Sequence, residues 1–356
     1  MWGVVLGVIL SAMTDKDQYA DLVFEGGGVK GIGLAGAYAA LTERGFEHKC
    51  VAGTSAGAIT AAAVAAGYSS AEVDDIVRNL PFASFKDPDW MDRLGAPGKL
   101  ASLIREKGIY EGKYFRDWMA KLLAAKGKTR FGQLSFETDD PPGKNYALKV
   151  IASDITHRRM LVLPDDADHL GVDPDELEIA DAVRMSMSIP IFFEPVVHEN
   201  PKTEEQHLIV DGGMLSNFPV WLFDAHGREP RWPTFGLMLV EPDPKVPVGR
   251  RLRREEDHGV PPGSLLDYLK SLATTMMAAR DRQYLENATF ARTIPIPTLG
   301  VGTTEFDISA DRVTALYQSG FDAAMTFLDG WDFEAYIEQF RRGKEAPRRT
   351  DLLRST

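Results

Sequence analysis

The sequence predicts an α/β fold in which a mostly parallel central sheet is flanked by helices on both faces. Two consecutive units support this prediction, because in each a short apolar strand runs into a glycine-containing loop and then into a helix rich in small residues. The two units are strand 22–24, loop 26–31 and helix 32–44, then strand 49–52, loop 53–57 and helix 58–66. Repeated units of this kind form parallel sheets with helices packed on their faces.

The alternation of strands and helices continues along most of the chain. Further strands are predicted at 146–152, 208–210, 235–240 and 293–296, and further helices at 114–124, 179–187, 264–286 and 310–328. Two proline-containing segments, 82–98 and 241–263, are predicted to be surface loops. We therefore expect an N-terminal extension at 1–20, one α/β domain at 21–330 and a basic C-terminal tail at 331–356.

Composition and charge narrow the class of protein. The chain has 356 residues, of which 44% are hydrophobic and 26% charged, which is typical of a globular protein with a large core. Its net charge of −12 repels phosphate-rich polymers, so no nucleic acid is expected as a partner.

The basic run that begins at Arg341 is interpreted as a solvated tail. The single cysteine, Cys50, has no partner for an internal disulfide and is predicted to be packed in the core.

The first ten residues are apolar, but they are too few to span a bilayer as a helix. They also lack the positively charged region that begins a secretory signal. No later apolar run reaches transmembrane length. We therefore expect a cytoplasmic protein whose contact with membranes is at most peripheral.

The segment Gly53-Thr54-Ser55-Ala56-Gly57 matches G-x-S-x-G, an elbow in which a strand turns sharply into a helix and exposes a serine nucleophile. Glycines flank the serine because a Cβ there would collide with the neighbouring strand and helix. This motif makes Ser55 the candidate nucleophile. The alternative is that Ser55 only caps the N-terminus of the following helix.

The glycine loop at 26–31 (GGGVKG) lies between the first strand and its helix. Successive amides of Gly26, Gly27 and Gly28 can point at a negative charge, such as the oxyanion formed during ester hydrolysis. The same letters fit G-x-G-x-x-G, so a non-enzymatic dinucleotide-binding module is the alternative. That alternative requires an acidic residue at the end of the second strand, where the sequence has AGTS at 52–55.

A serine nucleophile needs a base, and histidine is the usual one. In the serine–acid–histidine order, only His226 and His258 follow Asp211, and neither has a supporting local pattern. The sequence Asp211-Gly212-Gly213 instead follows an apolar strand, and a carboxylate in a dry pocket gains proton affinity. Asp211 is therefore the favoured base, and an ordinary Asp-Gly turn is the alternative.

Taken in order, these three motifs resemble the patatin-like phospholipase family over about residues 20–330. Segment 184–190 (RMSMSIP) resembles the part of the family that precedes the catalytic aspartate. The resemblance implies a three-layer α/β/α fold, with Ser55 as nucleophile, Asp211 as base and the amides of Gly26, Gly27 and Gly28 as the oxyanion hole. It also implies that Lys30 and Gly31 support the glycine loop.

The implied activity is hydrolysis of fatty-acyl esters of lipids or phospholipids through an acyl-enzyme, without a cofactor. A carboxylesterase for soluble esters is the alternative enzyme. Since no cluster of His, Cys, Asp and Glu at ligand spacing accompanies the motifs, no metal is expected. The apolar side chains that follow residue 184 are interpreted as core or, alternatively, as an acyl-chain channel. They are Met185, Met187, Ile189, Ile191, Phe192 and Phe193.

Overall fold

The computed structural model describes residues 19–80, 108–139, 142–190, 193–241, 287–303, 305 and 307–344. Its strands are β1 (Tyr19–Phe24), β2 (Glu47–Thr54), β3 (Ser135–Asp139), β4 (Pro142–Tyr146), β5 (Leu148–Asp154), β6 (Arg159–Leu163), β7 (Val196–Glu199), β8 (Gln206–Asp211), β9 (Thr234–Val240) and β10 (Thr293–Pro297). Its helices are α1 (Ile32–Glu43), α2 (Ala56–Ala65), α3 (Ser70–Arg78), α4 (Gly108–Ala125), α5 (Ile179–Ser186), α6 (Asn287–Ala291), α7 (Ala310–Asp329) and α8 (Phe333–Tyr336).

The main sheet is mixed but mostly parallel. Strands β10, β9, β1, β2 and β5 lie side by side in that order, and each pairs in parallel with the next. Strands β6 and β8 run antiparallel to β5, and β7 runs antiparallel to β8. Strands β3 and β4 form a separate antiparallel hairpin.

One edge of β5 is shared by two strands that run in opposite directions. Strand β6 pairs with β5 over Val150–Asp154, so it occupies one edge of β5 along that length. Strands β2 and β8 therefore both lie on the other edge, β2 opposite the first half of β5 and β8 opposite the second half. Thr54 at the end of β2 faces Ile151, and Asp211 at the end of β8 faces Ala152. Because Ile151 and Ala152 are neighbours, the C-terminal ends of β2 and β8 meet.

The two faces of the sheet pack against different layers. In β1, the side chains of Leu22 and Phe24 enter the main core, whereas Val23 enters a cluster on the opposite face, as the two-residue period of a strand requires. Helices α1, α2, α5 and α7 contribute to the main core. Phe218 and the 3-10 turn Val220–Phe223 pack on the opposite face. The sequence-predicted α/β fold with a mostly parallel sheet between helical layers is confirmed.

Helices α1 and α7 approach each other at the level of their backbones. A Cβ on Gly36 would lie 1.9 Å from the Tyr317 carbonyl oxygen, and a Cβ on Gly320 would lie 1.8 Å from the Gly33 carbonyl oxygen. Both distances are far below any real Cβ contact. Glycine is therefore required on both helices for this close packing.

The predicted strands are present with ends shifted by at most three residues, because local propensity fixes strand ends poorly. Strands β3, β4, β6 and β7 were not predicted. β7 has only four residues, and the β3–β4 hairpin has a polar sequence with little apolar alternation. The predicted helix at 264–286, the predicted loop at 82–98 and all but the first residue of the predicted loop at 241–263 lie outside the described residues.

The start of the predicted C-terminal tail packs against the domain. Phe333, Tyr336 and Ile337 form a buried apolar cluster. Arg341 is buried as well, and its guanidinium lies 3.2 Å from the Asp224 carboxylate, which Arg292 also contacts at 2.6 Å. The interpretation of the basic tail as solvated is therefore wrong for Arg341, because a buried carboxylate compensates its charge.

The close contact between α1 and α7 predicts how a substitution of Gly36 changes the stability of the protein. Gly→Ala within a helix normally stabilises it by about 1 kcal/mol. We expect Gly36→Ala to lower the free energy of unfolding instead, by about 1–3 kcal/mol, because the new methyl group overlaps the α7 backbone. Chemical denaturation of the purified variant measures this change. The control is Gly330→Ala at the end of α7, where a Cβ would meet only the Phe327 carbonyl oxygen at 3.9 Å. A Gly36→Ala variant as stable as the wild type would refute the close packing.

Candidate active site

Ser55 occupies a strained turn between β2 and α2. Its backbone angles are φ 54° and ψ −127°, a region that residues other than glycine rarely adopt. A Cβ on Gly53 would lie 2.3 Å from the Gly57 carbonyl oxygen, and a Cβ on Gly57 would lie 2.3 Å from the Phe24 carbonyl oxygen. Both glycines are therefore required by the space around the turn, for the steric reason that the sequence motif suggested.

Residues 186–188, at the C-terminal end of α5, contact both Ser55 and Asp211. The Ser186 hydroxyl accepts a hydrogen bond from the Ser55 amide at 2.8 Å, and the Ser188 carbonyl accepts one from the Asp211 amide at 2.9 Å. Between them, the Met187 sulfur lies 3.7 Å from the Ser55 hydroxyl oxygen. Both serines lie in segment 184–190, where the sequence predicted a role only for the apolar residues, as core or channel.

A partly buried arginine anchors the same segment. The Arg184 guanidinium donates hydrogen bonds to the Ser188 hydroxyl and, at 3.0 Å, to the Glu194 carbonyl. Desolvation lowers the Arg184 pKa to about 10, against the opposing effect of the Glu194 charge. The side chain therefore stays charged at neutral pH and holds the segment that contacts Ser55 and Asp211.

Asp211 is a fully buried carboxylate at the end of β8. Oδ1 accepts a hydrogen bond from the Gly213 amide at 2.7 Å, whereas Oδ2 has no hydrogen-bond partner among the described residues. A Cβ on Gly212 would lie 2.2 Å from the Ile151 carbonyl oxygen, so β5 requires the first glycine of the motif. Burial raises the Asp211 pKa from 3.8 to about 7, although the Ser55 hydroxyl and the Gly213 amide act to lower it.

Ser55 and Asp211 are adjacent but not joined by a hydrogen bond of ordinary length. The Ser55 hydroxyl is close enough to Asp211 to lower the pKa of its carboxyl. The hydroxyl nevertheless makes its side-chain contact with the Met187 sulfur. Contacts between a nucleophile and its base are often long in a free enzyme and shorten when substrate binds.

The glycine loop is held by contacts on both sides. The Gly26 amide donates to the Asn217 carbonyl at 3.2 Å, and the Asn217 side chain donates back to the Gly26 carbonyl at 3.0 Å. Gly28 has a φ of 57°, which favours glycine. Within the described ranges, the amides of Gly27 and Gly28 donate no backbone hydrogen bond, while the Gly26 amide is engaged.

Lys30 and Gly31 connect this loop to other elements. The Lys30 ammonium forms an ion pair with Glu241, just beyond β9, at 2.8 Å. Thr298 donates a hydrogen bond to the same carboxylate at 3.1 Å. A Cβ on Gly31 would lie 3.4 Å from the Ala56 Cβ, so the loop packs closely against the start of α2. Lys30 therefore ties the glycine loop to the end of β9.

The alternative bases can be compared with this arrangement. His226 is exposed, and His258 lies outside the described residues. In the part of the chain that the structure describes, no histidine forms a hydrogen bond with Ser55 or Asp211. Asp211 is therefore the titratable side chain that the described structure places beside Ser55.

A strained serine in a sharp turn between a strand and a helix is typical of serine hydrolases. The chain belongs to the patatin-like phospholipase family, whose model matches residues 22–224. The protein YqhO of Bacillus subtilis is 37% identical over 317 residues, which cover 89% of this chain and 100% of YqhO.

Two solved structures are similar to this chain at low sequence identity. VipD of Legionella pneumophila is 17% identical with a TM-score of 0.47, and the match covers 88% of this chain and 67% of VipD. ExoU of Pseudomonas aeruginosa, in complex with SpcU, is 19% identical with a TM-score of 0.45, and the match covers 88% of this chain and 53% of ExoU. None of the described helices is both long enough and apolar enough to cross a membrane.

A second cluster of polar side chains lies around the end of β5 and the start of β8. The side chains of Asp154, His157, His169 and His207 each offer a ligand atom, and these atoms lie within 4.8 Å of one another. The sequence-based expectation that the chain contains no such cluster is wrong. Spacing along the chain gave no signal, because folding brings the four residues together from the end of β5, two turns and β8.

The raised pKa of the buried Asp211 predicts how the stability of the protein changes with pH. Because its pKa is raised in the folded protein, the folded state binds this proton more tightly than the unfolded chain does. The contribution of Asp211 to stability therefore decreases as the pH rises from about 4 to about 7, and the full penalty is present above that. We expect Asp211→Asn to be more stable than the wild type at pH 8, by on the order of a few kcal/mol.

Thermal or chemical unfolding of both proteins between pH 4 and pH 8 measures the difference. The advantage of the variant should disappear towards pH 4, where the wild-type carboxyl is protonated. Comparing the two proteins at each pH cancels the titration of all other groups. A difference in stability that does not change with pH would show that the Asp211 pKa is not raised.

Proposed function

We propose that this protein is a serine acyl hydrolase that cleaves fatty-acyl ester bonds of lipids or phospholipids, with Ser55 as nucleophile and Asp211 as general base. Membership of the patatin-like phospholipase family supports hydrolysis of lipid esters in general. The observation that carries the residue assignment is the meeting of a strained serine and a desolvated carboxylate at the ends of β2 and β8.

The raised pKa of Asp211 supports its role as a base. An exposed aspartate is too weakly basic to take a proton from serine, whereas a carboxyl with a pKa of about 7 is matched to neutral pH. Oδ2 is the oxygen free to receive the proton, since Oδ1 is occupied by the Gly213 amide. The bond from Gly213 then orients the carboxylate during the transfer.

In the first half of the reaction, the Ser55 oxygen attacks the ester carbonyl carbon while Asp211 takes the hydroxyl proton. The amides of Gly27 and Gly28 stabilise the resulting oxyanion. The Gly26 amide does not contribute, because it already donates a hydrogen bond to the Asn217 carbonyl. The tetrahedral intermediate collapses, and Asp211 returns the proton to the departing alcohol. An acyl group is then esterified to Ser55.

In the second half, water attacks the acyl carbonyl while Asp211 takes one of its protons. The ester bond to Ser55 breaks, the serine oxygen regains a proton from Asp211, and a free fatty acid leaves. Ser186 and Ser188 act as positioning residues, since their contacts fix the Ser55 and Asp211 backbones. No cofactor takes part in this sequence.

The surroundings of Ser55 favour an apolar acyl group as the substrate. Ser55 is 1% exposed and Met187 is 4% exposed, so an incoming ester must displace the flexible methionine side chain. Met185 and Ile189 are buried nearby in sequence. A methionine that moves aside would leave apolar surface suited to an acyl chain.

The nucleophile assignment predicts that Ser55→Ala lowers ester turnover by at least about 10⁴-fold while the fold is retained. The side chain loses only its hydroxyl, and the backbone bond to Ser186 is kept. Wild-type protein should gain one fluorophosphonate adduct, located at Ser55 by peptide mass spectrometry. An adduct on another serine, or turnover that survives in the variant, would refute the assignment.

Ester turnover and fluorophosphonate labelling also separate the alternative functions. A carboxylesterase would turn over short soluble esters faster than long-chain lipid esters, whereas the proposed enzyme prefers long chains. A dinucleotide-binding module would bind a dinucleotide and take up no fluorophosphonate. The released products of a lipid panel identify the bond that is cleaved.

The base assignment predicts a pH dependence. We expect kcat/KM to rise as the pH increases through about 7, because only the deprotonated form of Asp211 accepts the serine proton. Asp211→Asn should lower turnover by roughly 10³-fold or more and remove this inflection. His226→Ala serves as the control and should leave both turnover and its pH profile unchanged. A histidine variant as inactive as Ser55→Ala, with native circular dichroism, would overturn the dyad.

A further inference from the structure

Three imidazole rings converge on one buried carboxylate oxygen at the end of β5. Asp154 Oδ2 lies 2.9 Å from His157 Nδ1, 2.8 Å from His207 Nδ1 and 3.3 Å from His169 Nε2. Asp154 is fully buried, and His207 is 1% exposed. The other two histidines are partly exposed. This cluster lies outside the candidate active site and has no part in the proposed reaction.

Hydrogen bonding alone explains this geometry poorly. A carboxylate oxygen has two lone pairs, yet three ring nitrogens point at Oδ2. Asp154 Oδ1 is occupied separately, by the amides of Thr156 at 2.9 Å and His157 at 3.2 Å. Burying a polar cluster without satisfying its donors and acceptors is costly, so three rings around one oxygen require a further partner.

We propose that Asp154, His157, His169 and His207 bind a divalent transition metal ion of the Zn²⁺ type in a tetrahedral site. Four ligands about 2.0 Å from a tetrahedral ion lie roughly 3.3 Å from one another. The separations between Oδ2 and the three nitrogens are 2.8–3.3 Å, and all four ligand atoms lie within 4.8 Å of one another. On binding, Oδ2 would move slightly away from the nitrogens, and the more distant ligand atoms would move closer together. Three imidazole nitrogens and one carboxylate oxygen favour Zn²⁺ over Ca²⁺ or Mg²⁺, which prefer oxygen ligands.

The surroundings of His157 support this assignment. Its Nε2 lies 2.9 Å from the Glu205 carboxylate, while Nδ1 faces the cluster. A second carboxylate that holds the outer nitrogen of a histidine is the usual arrangement around a bound metal, because it fixes the tautomer and the ring orientation. Glu205 precedes β8, and it reaches the cluster from outside.

One contact must adjust when the ion binds. Arg159 Nη1 lies 3.3 Å from His169 Nδ1, and both groups would carry hydrogen once Nε2 is bound to metal. The Arg159 side chain is 41% exposed, so it can turn towards Asp166, 3.5 Å away. His207 Nε2 is buried without a partner among the described residues, whichever of its nitrogens is protonated.

Four protein ligands fill a tetrahedral site, which is characteristic of structural rather than catalytic zinc. The ion would join the end of β5 to the turn 155–158, to the 3-10 turn Ala167–Leu170 and to β8. Asp211 lies four residues beyond His207 on β8, or about 13 Å along the strand. The proposed role is therefore to fix the strand that carries Asp211 and not to contact the substrate.

The test begins with the metal content of the full-length protein, measured by mass spectrometry after dialysis. We expect about one Zn²⁺ per chain and, after exchange with Co²⁺, the strong visible absorption of a tetrahedral site. Removal with a chelator should lower Tm by on the order of 5 °C, and added Zn²⁺ should restore it. Ester turnover well below Tm should survive the chelator.

Three variants make the test specific. His157→Gln removes a partly exposed ligand and should abolish stoichiometric binding. Glu205→Gln keeps all four ligands and should weaken Zn²⁺ binding by about 10- to 100-fold. His226→Gln, at an exposed position outside the cluster, is the control and should bind like the wild type.

Two results would overturn the proposal. Wild-type protein that contains no metal and shows no change in Tm or Co²⁺ absorption would show that the cluster is only hydrogen-bonded. Immediate loss of turnover on chelation, with native circular dichroism and unchanged Tm, would show that the ion is not structural.

Discussion

The edge of β5 is the constraint on which the candidate active site depends. Strand β2 runs along the first half of this edge and β8 runs along the second half in the opposite direction, so their C-terminal ends meet. Ser55 follows directly after β2, and Asp211 ends β8. Two residues 156 positions apart in the chain are therefore adjacent because of strand direction and register alone. A shift in the register of either strand would separate them.

The surrounding structure has to tolerate two unfavourable features at this point. Ser55 has a positive φ, and Asp211 is a carboxylate without solvent. Both are fixed by backbone and side-chain contacts from segment 186–188, which Arg184 anchors from behind. Local strain and burial that reduce stability are common at sites where they serve the chemistry. Here they give the serine its strained turn and the carboxyl its raised pKa.

Strand β8 connects the candidate active site with the proposed metal site. His207 near its start joins the cluster around Asp154, and Asp211 at its end joins Ser55. Antiparallel pairing with β5 holds the second half of the strand, from Ile209 to Asp211, whereas His207 pairs with His198 of β7. An ion at one end would restrain the strand at the other without taking part in the chemistry.

Features that depend on neighbouring residues could be predicted from the sequence: the α/β alternation, the elbow around Ser55, the glycine loop and the Asp-Gly-Gly turn. The last three are short motifs whose glycines meet a local steric need, so they can be recognised without coordinates. Which distant residues meet depends on the tertiary structure. The serines at 186 and 188, the contact of Asn217 with Gly26 and the cluster around Asp154 join distant segments, and no local pattern encodes such pairings. The register of β5 with its neighbours brings these residues together, because pairing in a sheet depends on the whole core and not on sequence spacing.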